Sequence, residues 1–122
     1  MDVGFVYVLE CTGGRWYVGH TTDIYRRIAQ HWLGTGALWT KKYKPIRVVS
    51  CVEGPPALER AVFAAYATEK RFQNVRGAGF CKIDMKEPEF IKKARDFSAW
   101  KASEAHDPEE ALLELDDERA GA

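Results

Sequence analysis

Three kinds of feature are scarce or missing in this chain, and each absence narrows its function. No apolar run approaches the roughly 20 residues that a membrane helix requires, which excludes a helical membrane protein. Only three cysteines occur, Cys11, Cys51 and Cys81, widely spaced and never as C-x-x-C. That argues against a cysteine zinc site or a disulfide framework and reads as isolated core thiols in a reducing compartment. There is no internal repeat, no low-complexity segment and no net charge, with 18 Lys/Arg against 18 Asp/Glu. The opening "MDVGFVYVLEC" has no basic segment before its apolar run and meets Glu10 soon after it. It does not read as a secretion signal, so the expected location is intracellular, cytoplasmic or nucleoid-associated.

What is present is the composition of a folded domain: 122 residues, 46% apolar and 12% aromatic, enough to bury a core. The zero net charge hides an asymmetry. Residues 1–83 carry 12 Lys/Arg and 6 Asp/Glu, a balance of +6; residues 84–122 carry 6 and 12, a balance of −6. A basic body suits an anionic partner, and nucleic acid is the commonest large one. The acidic end "DPEEALLELDDERAGA" reads as a solvated tail or short helix. At close range it is also a competitor for the basic surface.

The expected elements follow from pattern and punctuation. "VGFVYVLEC" and "RWYVGH" are strands flanking Gly13-Gly14, a hairpin signal. A helix follows, capped by Thr21 or Thr22 and running to about Leu33, where Gly34 and Gly36 stop it. "ALWTKKYKP" is a basic, aromatic loop, and Ile46 to Glu53 a third strand. Gly54-Pro55-Pro56 introduces the helix "ALERAVFAAYATEKRFQ". "NVRGAGFCKID" is irregular or extended. "EPEFIKKARDFSAWKASEA" is a last helix, burying Phe90, Ile91, Ala94, Phe97 and Trp100. The fold class is α+β, a small three-stranded antiparallel sheet flanked by helices in the order β-β-α-β-α-α. Residues 1–83 form its core, and 84–122 a C-terminal helix and acidic tail of the same domain.

"WYVGHTTDIYRRIAQH", Trp16 to His31, concentrates polar and reactive side chains at the joint between strand and helix. With Ile24 at zero and about 100° per residue, Ile24, Ile28 and Trp32 form a stripe centred near 40°. Arg26 falls at about 200°, facing solvent, while Arg27 and His31, at about 300° and 340°, flank the stripe on one face. Helical geometry therefore prefers Arg27 to Arg26 as the functional arginine. The bland reading is an arginine whose stem covers apolar surface.

Together these residues resemble the GIY-YIG nuclease family. Val6-Tyr7-Val8 stands for its first motif and Tyr17-Val18-Gly19 for its second, eight residues apart. "TTDIYRRIAQH" matches the helix with an arginine four residues before a histidine, Arg27 and His31 here. A Glu near the start of the second helix, sixteen residues before a Val-Arg-Gly element, corresponds to Glu59. The likeness covers roughly residues 3–83. Each short motif is weak alone, and their order and spacing make the combination fairly specific. The first motif departs from the pattern at Val6 and Val8, and His20 stands where many members have Lys or Ser.

The resemblance implies a metal-dependent endonuclease that hydrolyses phosphodiester bonds in DNA, with branched or single-stranded DNA among its substrates. Glu59 would be the ligand of one Mg²⁺ or Mn²⁺ ion, Arg27 the clamp on the phosphate and Tyr7 or Tyr17 the group acting on the water. His31 completes the catalytic set and His20 is an auxiliary. A phenol near pKa 10 is a poor base at neutral pH, so a nearby cation should lower it. The helical wheel alone does not choose Glu59. A stripe of Leu58, Val62, Ala65 and Phe72 puts Glu69 near its middle and Glu59 on its flank.

The hairpin raises a conflict. A strict two-residue Gly13-Gly14 turn sets Tyr7 opposite His20 and Tyr17 opposite Glu10, which turns the tyrosines to opposite faces. Two site tyrosines on one face require a turn of odd length or a bulge. In "ALWTKKYKPIR", Trp39 and Tyr43 alternate with Lys41, Lys42 and Lys44, which suits stacking on bases and pairing with phosphates. Arg76 joins them as a candidate nucleic-acid contact. The alternative function is a non-catalytic or partner-dependent nucleic-acid-binding module of the same fold. A protein partner for targeting fits the lack of an obvious DNA-targeting domain.

Overall fold

The computed structural model describes residues 3–102. The acidic tail, with its expected helix and its competition for the basic surface, lies outside the described residues, as does the side chain of Trp100. Strands β1 (Phe5–Cys11) and β2 (Arg15–Thr21) form the hairpin. Helices α1 (Ile24–Leu33) and α2 (Leu38–Lys42) follow, then strand β3 (Pro45–Glu53) and helix α3 (Pro56–Lys70). A turn of 3₁₀ helix leads into the three-residue strand β4 (Val75–Gly77), and helix α4 (Glu89–Ala102) closes the described chain.

The expected three-stranded antiparallel sheet is corrected to a mixed sheet of four strands, ordered β3-β1-β2-β4. β1 pairs antiparallel with β2 and β3, and β4 runs parallel to β2 through Trp16↔Val75, Tyr17↔Arg76 and Val18↔Gly77. The fourth strand escaped the sequence pattern for a physical reason. All three of its residues are buried, so no in–out alternation marks it. The basic "ALWTKKYKP" loop is likewise corrected, since part of it is the short helix α2.

The hairpin meets the requirement for an odd turn. Cys11 pairs with Arg15, leaving the three-residue loop Thr12-Gly13-Gly14. Gly13 and Gly14 hold φ of 72° and 68°, values that favour glycine. Tyr7 then faces Gly19, and Leu9 faces Tyr17. With side chains alternating along each strand, Tyr7, Leu9 and Cys11 share a face with Tyr17 and Gly19.

Two apolar clusters sandwich the sheet. On one face Val6, Val8 and Val18 pack against Phe63 and Ala67 of α3, with Phe72, Val75 and Ile91. On the other Tyr7, Leu9, Cys11 and Tyr17 pack with Trp39 of α2, beside Ile24 and Ile28 of α1. Both helix phases differ in part from the sequence reading. In α1 the covered side is rotated toward His31, and Trp32 is exposed. In α3 the buried residues are Phe63 and Ala67, each four apart from the last beginning at Glu59, while Ala65 and Glu69 are exposed. The expected stripe holds at Leu58, Val62 and Phe72, which pack in the core, and fails at Ala65, since an alanine fits either side of a helix. In α4, Ile91 is buried but Phe97 is 61% exposed, against expectation. The first helix is capped by Asp23, whose side chain accepts from the Arg26 N–H, rather than by Thr21 or Thr22. Thr21 instead accepts from the Asp23 N–H, bracing the cap.

Candidate active site

Burial and register bring the two motif tyrosines and His31 together. The Tyr7 and Tyr17 ring centres are 6.3 Å apart, and His31 lies 5.6 Å from the first and 4.9 Å from the second. Tyr7 can lie flat on the sheet because its register partner is Gly19. A Cβ there would collide with the Tyr7 ring and hydroxyl. The Tyr7 hydroxyl and His31 Nε2 are 2.7 Å apart, and His31 Nδ1 is 2.8 Å from the Thr40 hydroxyl.

Arg27, half-buried on the same side of α1, lies near enough to Tyr7 and Tyr17 for its charge and the two phenols to act on one another. Its Nη1 donates to Gln30 Oε1 at 3.0 Å, which holds the guanidinium in place. Arg26 is exposed. The division that the helical wheel drew between these two arginines is therefore the one found.

Glu59 stands in the first turn of α3, its Oε1 accepting from the Ala78 N–H just beyond β4 at 2.9 Å. Burial raises its carboxyl pKa, against the opposing pull of the Ala78 N–H and the nearby charge of His20. The Glu59 charge in turn acts on Tyr7 and on Cys81. Glu69 pairs with Lys70 at the surface, with 73% of its side chain exposed. The body of α3 packs on the sheet face opposite to α1, so Glu59 reaches the tyrosines' surroundings only from the helix start.

The electrostatics depart from one expectation. Burial pushes Tyr7 up to about 12, outweighing the lowering effect of Arg27. Burial likewise raises Tyr17. Neither phenol is poised as a standing phenolate. Burial, then Arg27, pushes His31 down to about 4, so its imidazole is neutral at physiological pH. Arg27 itself loses hydration by burial, yet the two phenols more than offset this and raise its pKa.

Other site residues separate into two groups. Lys41, Lys42 and Lys44 are exposed, as a phosphate-contacting role requires. Tyr43 is half-buried, its ring edge-on to Trp39 and beneath Arg15 and Lys42. Trp39 and Arg76, both 1% exposed, are corrected from nucleic-acid contacts to core residues. Trp39 Nε1 donates to the Trp16 carbonyl at 2.9 Å. The Arg76 guanidinium lies between the Trp39 and Phe72 rings, 4.6 and 4.5 Å from their centres. It donates to the carbonyls of Phe72, Val75, Lys82 and Ile83. Hydrogen bonds from a charged group contribute about 1.5–3 kcal/mol each, so four offset a burial penalty of several kcal/mol. Arg76 thereby ties down the 77–83 segment, whose Ala78 orients Glu59.

His20 also has a structural role. Its Nε2 bridges the carbonyls of Val3 and Gly54 at 2.8 and 3.0 Å, fastening the start of β1 to the end of β3. Two residues here carried no sequence signal. Thr40 was one polar residue in a basic run. Cys81 and Cys51, both read as core thiols, are exposed, and of the three cysteines only Cys11 is buried. Partial burial of the Cys81 sulfur, with the nearby charge of Glu59, raises its pKa.

The GIY-YIG catalytic domain model matches residues 3–84. The chain thus belongs to the GIY-YIG family, a nuclease-type domain. Its relatives are UPF0213 proteins, a GIY-YIG family. One from Cupriavidus pinatubonensis is 45% identical over 85 residues, covering 70% of this chain and 91% of that protein. One from Cupriavidus necator is 39% identical over 77 residues, covering 63% and 82%. One from Halalkalibacterium halodurans is 50% identical over 46 residues, covering 38% and 49%. No solved structure matches. Among the described residues, no helix is long and apolar enough to cross a membrane.

Proposed function

We propose that this protein is a divalent-metal-dependent endonuclease that hydrolyses phosphodiester bonds in DNA, with Tyr7 acting on the attacking water. The observation that carries the reading is the 2.7 Å contact between the Tyr7 hydroxyl and the neutral imidazole of His31, beside Arg27. An unassisted phenol at about pKa 12 does not deprotonate water at neutral pH. A phenol that passes its own proton to His31 Nε2 while taking one from water avoids a free phenolate. Negative charge brought in by the substrate phosphate raises the proton affinity of His31 and favours this transfer.

Arg27 offers a planar cationic fork to the non-bridging phosphate oxygens. Its bond to Gln30 leaves other N–H groups facing the phenols and the substrate. Tyr17, beside the same guanidinium, orients the phosphate or the water.

The donor set fits a hard, largely hydrated ion. Ala78 orients Glu59 through Oε1 alone, and the described residues contain no group of three His, Cys, Asp or Glu that could cage a metal. One carboxylate with waters and substrate oxygens suits Mg²⁺ or Mn²⁺. Glu59 would hold the ion, which when bound stabilises the leaving oxygen and the charge developing on the phosphate.

Lys41, Lys42 and Lys44 are the exposed cations of this reading, suited to the strand on either side of the scissile phosphate. The test is incubation of the pure protein with supercoiled, branched and single-stranded DNA, in Mg²⁺ or Mn²⁺ against EDTA. Cleavage that is abolished by EDTA and by Tyr7→Phe supports it. DNA binding without cleavage in either metal would replace it with the partner-dependent binding module.

A further inference from the structure

We infer that Thr40 is a positioning residue, holding His31 in the tautomer whose bare Nε2 faces the Tyr7 hydroxyl. The inference deepens the nuclease reading and rests on it for its kinetic consequence, though not for its structural one.

The direction of the hydrogen-bond chain is set at its Thr40 end. The Thr40 hydroxyl donates to the Ala37 carbonyl at 3.1 Å, and a carbonyl can only accept. Its single proton is thus used, and its oxygen, 2.8 Å from His31 Nδ1, accepts. Nδ1 then carries the proton of the neutral imidazole, and Nε2 is the unprotonated nitrogen. The Tyr7 hydroxyl, 2.7 Å from Nε2, donates to it. Every link runs one way, from Tyr7 through His31 and Thr40 to Ala37.

Among the described residues, Thr40 is the hydrogen-bond partner found for His31 Nδ1. The groups packed about the imidazole are Tyr7 from β1, Tyr17 from β2, Arg27 from α1 and Thr40 from α2. His31 and Thr40 are each 1% exposed, so water does not readily replace the threonine. The seat of Thr40 is built by α2, whose first turn presents both the hydroxyl and the carbonyl it uses. Loss of the hydroxyl removes the partner that keeps the proton on Nδ1. In the other tautomer Nε2–H points at Tyr7, and Nε2 has no lone pair to receive the phenolic proton. When Tyr7 does transfer its proton, the O–H bond breaks, the N–H bond forms at Nε2, and Nδ1–H stays bound to Thr40.

The test reads the tautomer directly by ¹⁵N NMR of the His31 ring, with single-turnover cleavage of DNA in Mg²⁺ measured alongside. Wild-type protein should show Nδ1–H and a bare Nε2. Thr40→Val, of the same shape, should gain Nε2–H and lose roughly 10–100-fold in the rate of the chemical step, by analogy with loss of an outer-shell partner. Thr40→Ser should restore both the Nδ1–H signature and most of the rate. Nε2–H in the wild type, or an unchanged tautomer in Thr40→Val, overturns the inference. The wild-type spectrum decides even if Thr40→Val does not fold. Wild-type protein with the Nδ1–H signature and no cleavage would sink the nuclease reading while sparing the geometry.

Discussion

The ring of Tyr7 lies across the backbone of Gly19, its partner on the neighbouring strand, in space that any side chain at position 19 would take. The close approach depends on the three-residue hairpin loop, because a one-residue shift would set Tyr7 against His20. The glycine is what lets a phenol occupy the sheet surface and still reach His31.

Gly19→Ala should therefore destabilise the fold by about 1–3 kcal/mol, the usual range for overpacking. In a Tyr7→Ala background the same substitution should be nearly neutral. Urea melts of the four proteins in this cycle measure the coupling. Equal losses in both backgrounds would mean that the Tyr7 ring is not the obstacle.

The two adjacent arginines should separate cleanly. Arg27→Ala is expected to lower the cleavage rate 10²-fold or more, the scale of losing a group that stabilises transition-state charge. Arg26→Ala should leave the chemical step nearly unchanged, since that side chain is exposed and the helix cap uses only its backbone N–H. Single-turnover rates at saturating protein make the comparison. Similar losses from both would remove the helical-face argument.

Glu59→Gln keeps an oxygen for the Ala78 N–H but removes the negative charge. Cleavage should fall by at least 10²-fold at all Mg²⁺ concentrations, with little change in melting temperature. Glu69→Gln, at the surface beside Lys70, should behave as wild type. Full activity in Glu59→Gln would remove the metal-ligand assignment.

Stability should depend on His31 in a defined pH window. Its folded pKa is pushed down to about 4, whereas an unfolded histidine titrates near about 6.5. Between these values the unfolded chain binds the extra proton, so stability is lost as pH falls from about 6.5 to about 4. The slope is at most about 1.4 kcal/mol per pH unit. Glu59, raised by burial, acts in the opposite sense, losing stability as pH rises through its own range. Comparison with His31→Asn isolates the histidine. A variant that retains the wild-type acid slope would assign that slope elsewhere.

Arg76 and Lys41 should fail in different ways. Arg76→Ala strips four carbonyls of their donor, at about 1–3 kcal/mol for each one left unsatisfied and buried. It should lower stability and cleavage together. Lys41→Ala should weaken DNA binding, reduce its salt dependence and leave the melting temperature alone. A stable Arg76→Ala protein with only weakened DNA binding would return Arg76 to the nucleic-acid surface.

Much of this was legible in the linear order of residues. The two strands, their joint with α1 and the choice of Arg27 over Arg26 follow from alternation, turn residues and the angle per residue in a helix. The same-face demand on Tyr7 and Tyr17 turned an expected two-residue turn into a three-residue one, which the register bears out. Those features are local, and short-range sterics and periodicity determine them. Tertiary structure decided whatever depends on contacts between distant segments. β4 is too short and too fully buried to show a period, and exists because β2 offers an edge. The phase of α3, and with it the exposure of Glu69, was set by which residues the sheet could bury, since alanines fit either side. Trp39 and Arg76 looked like surface ligands because aromatic and cationic groups suit nucleic acid and core packing alike. Only the packing of α2 against the sheet shows that the ring and the guanidinium hold one another, and that Thr40 meets His31.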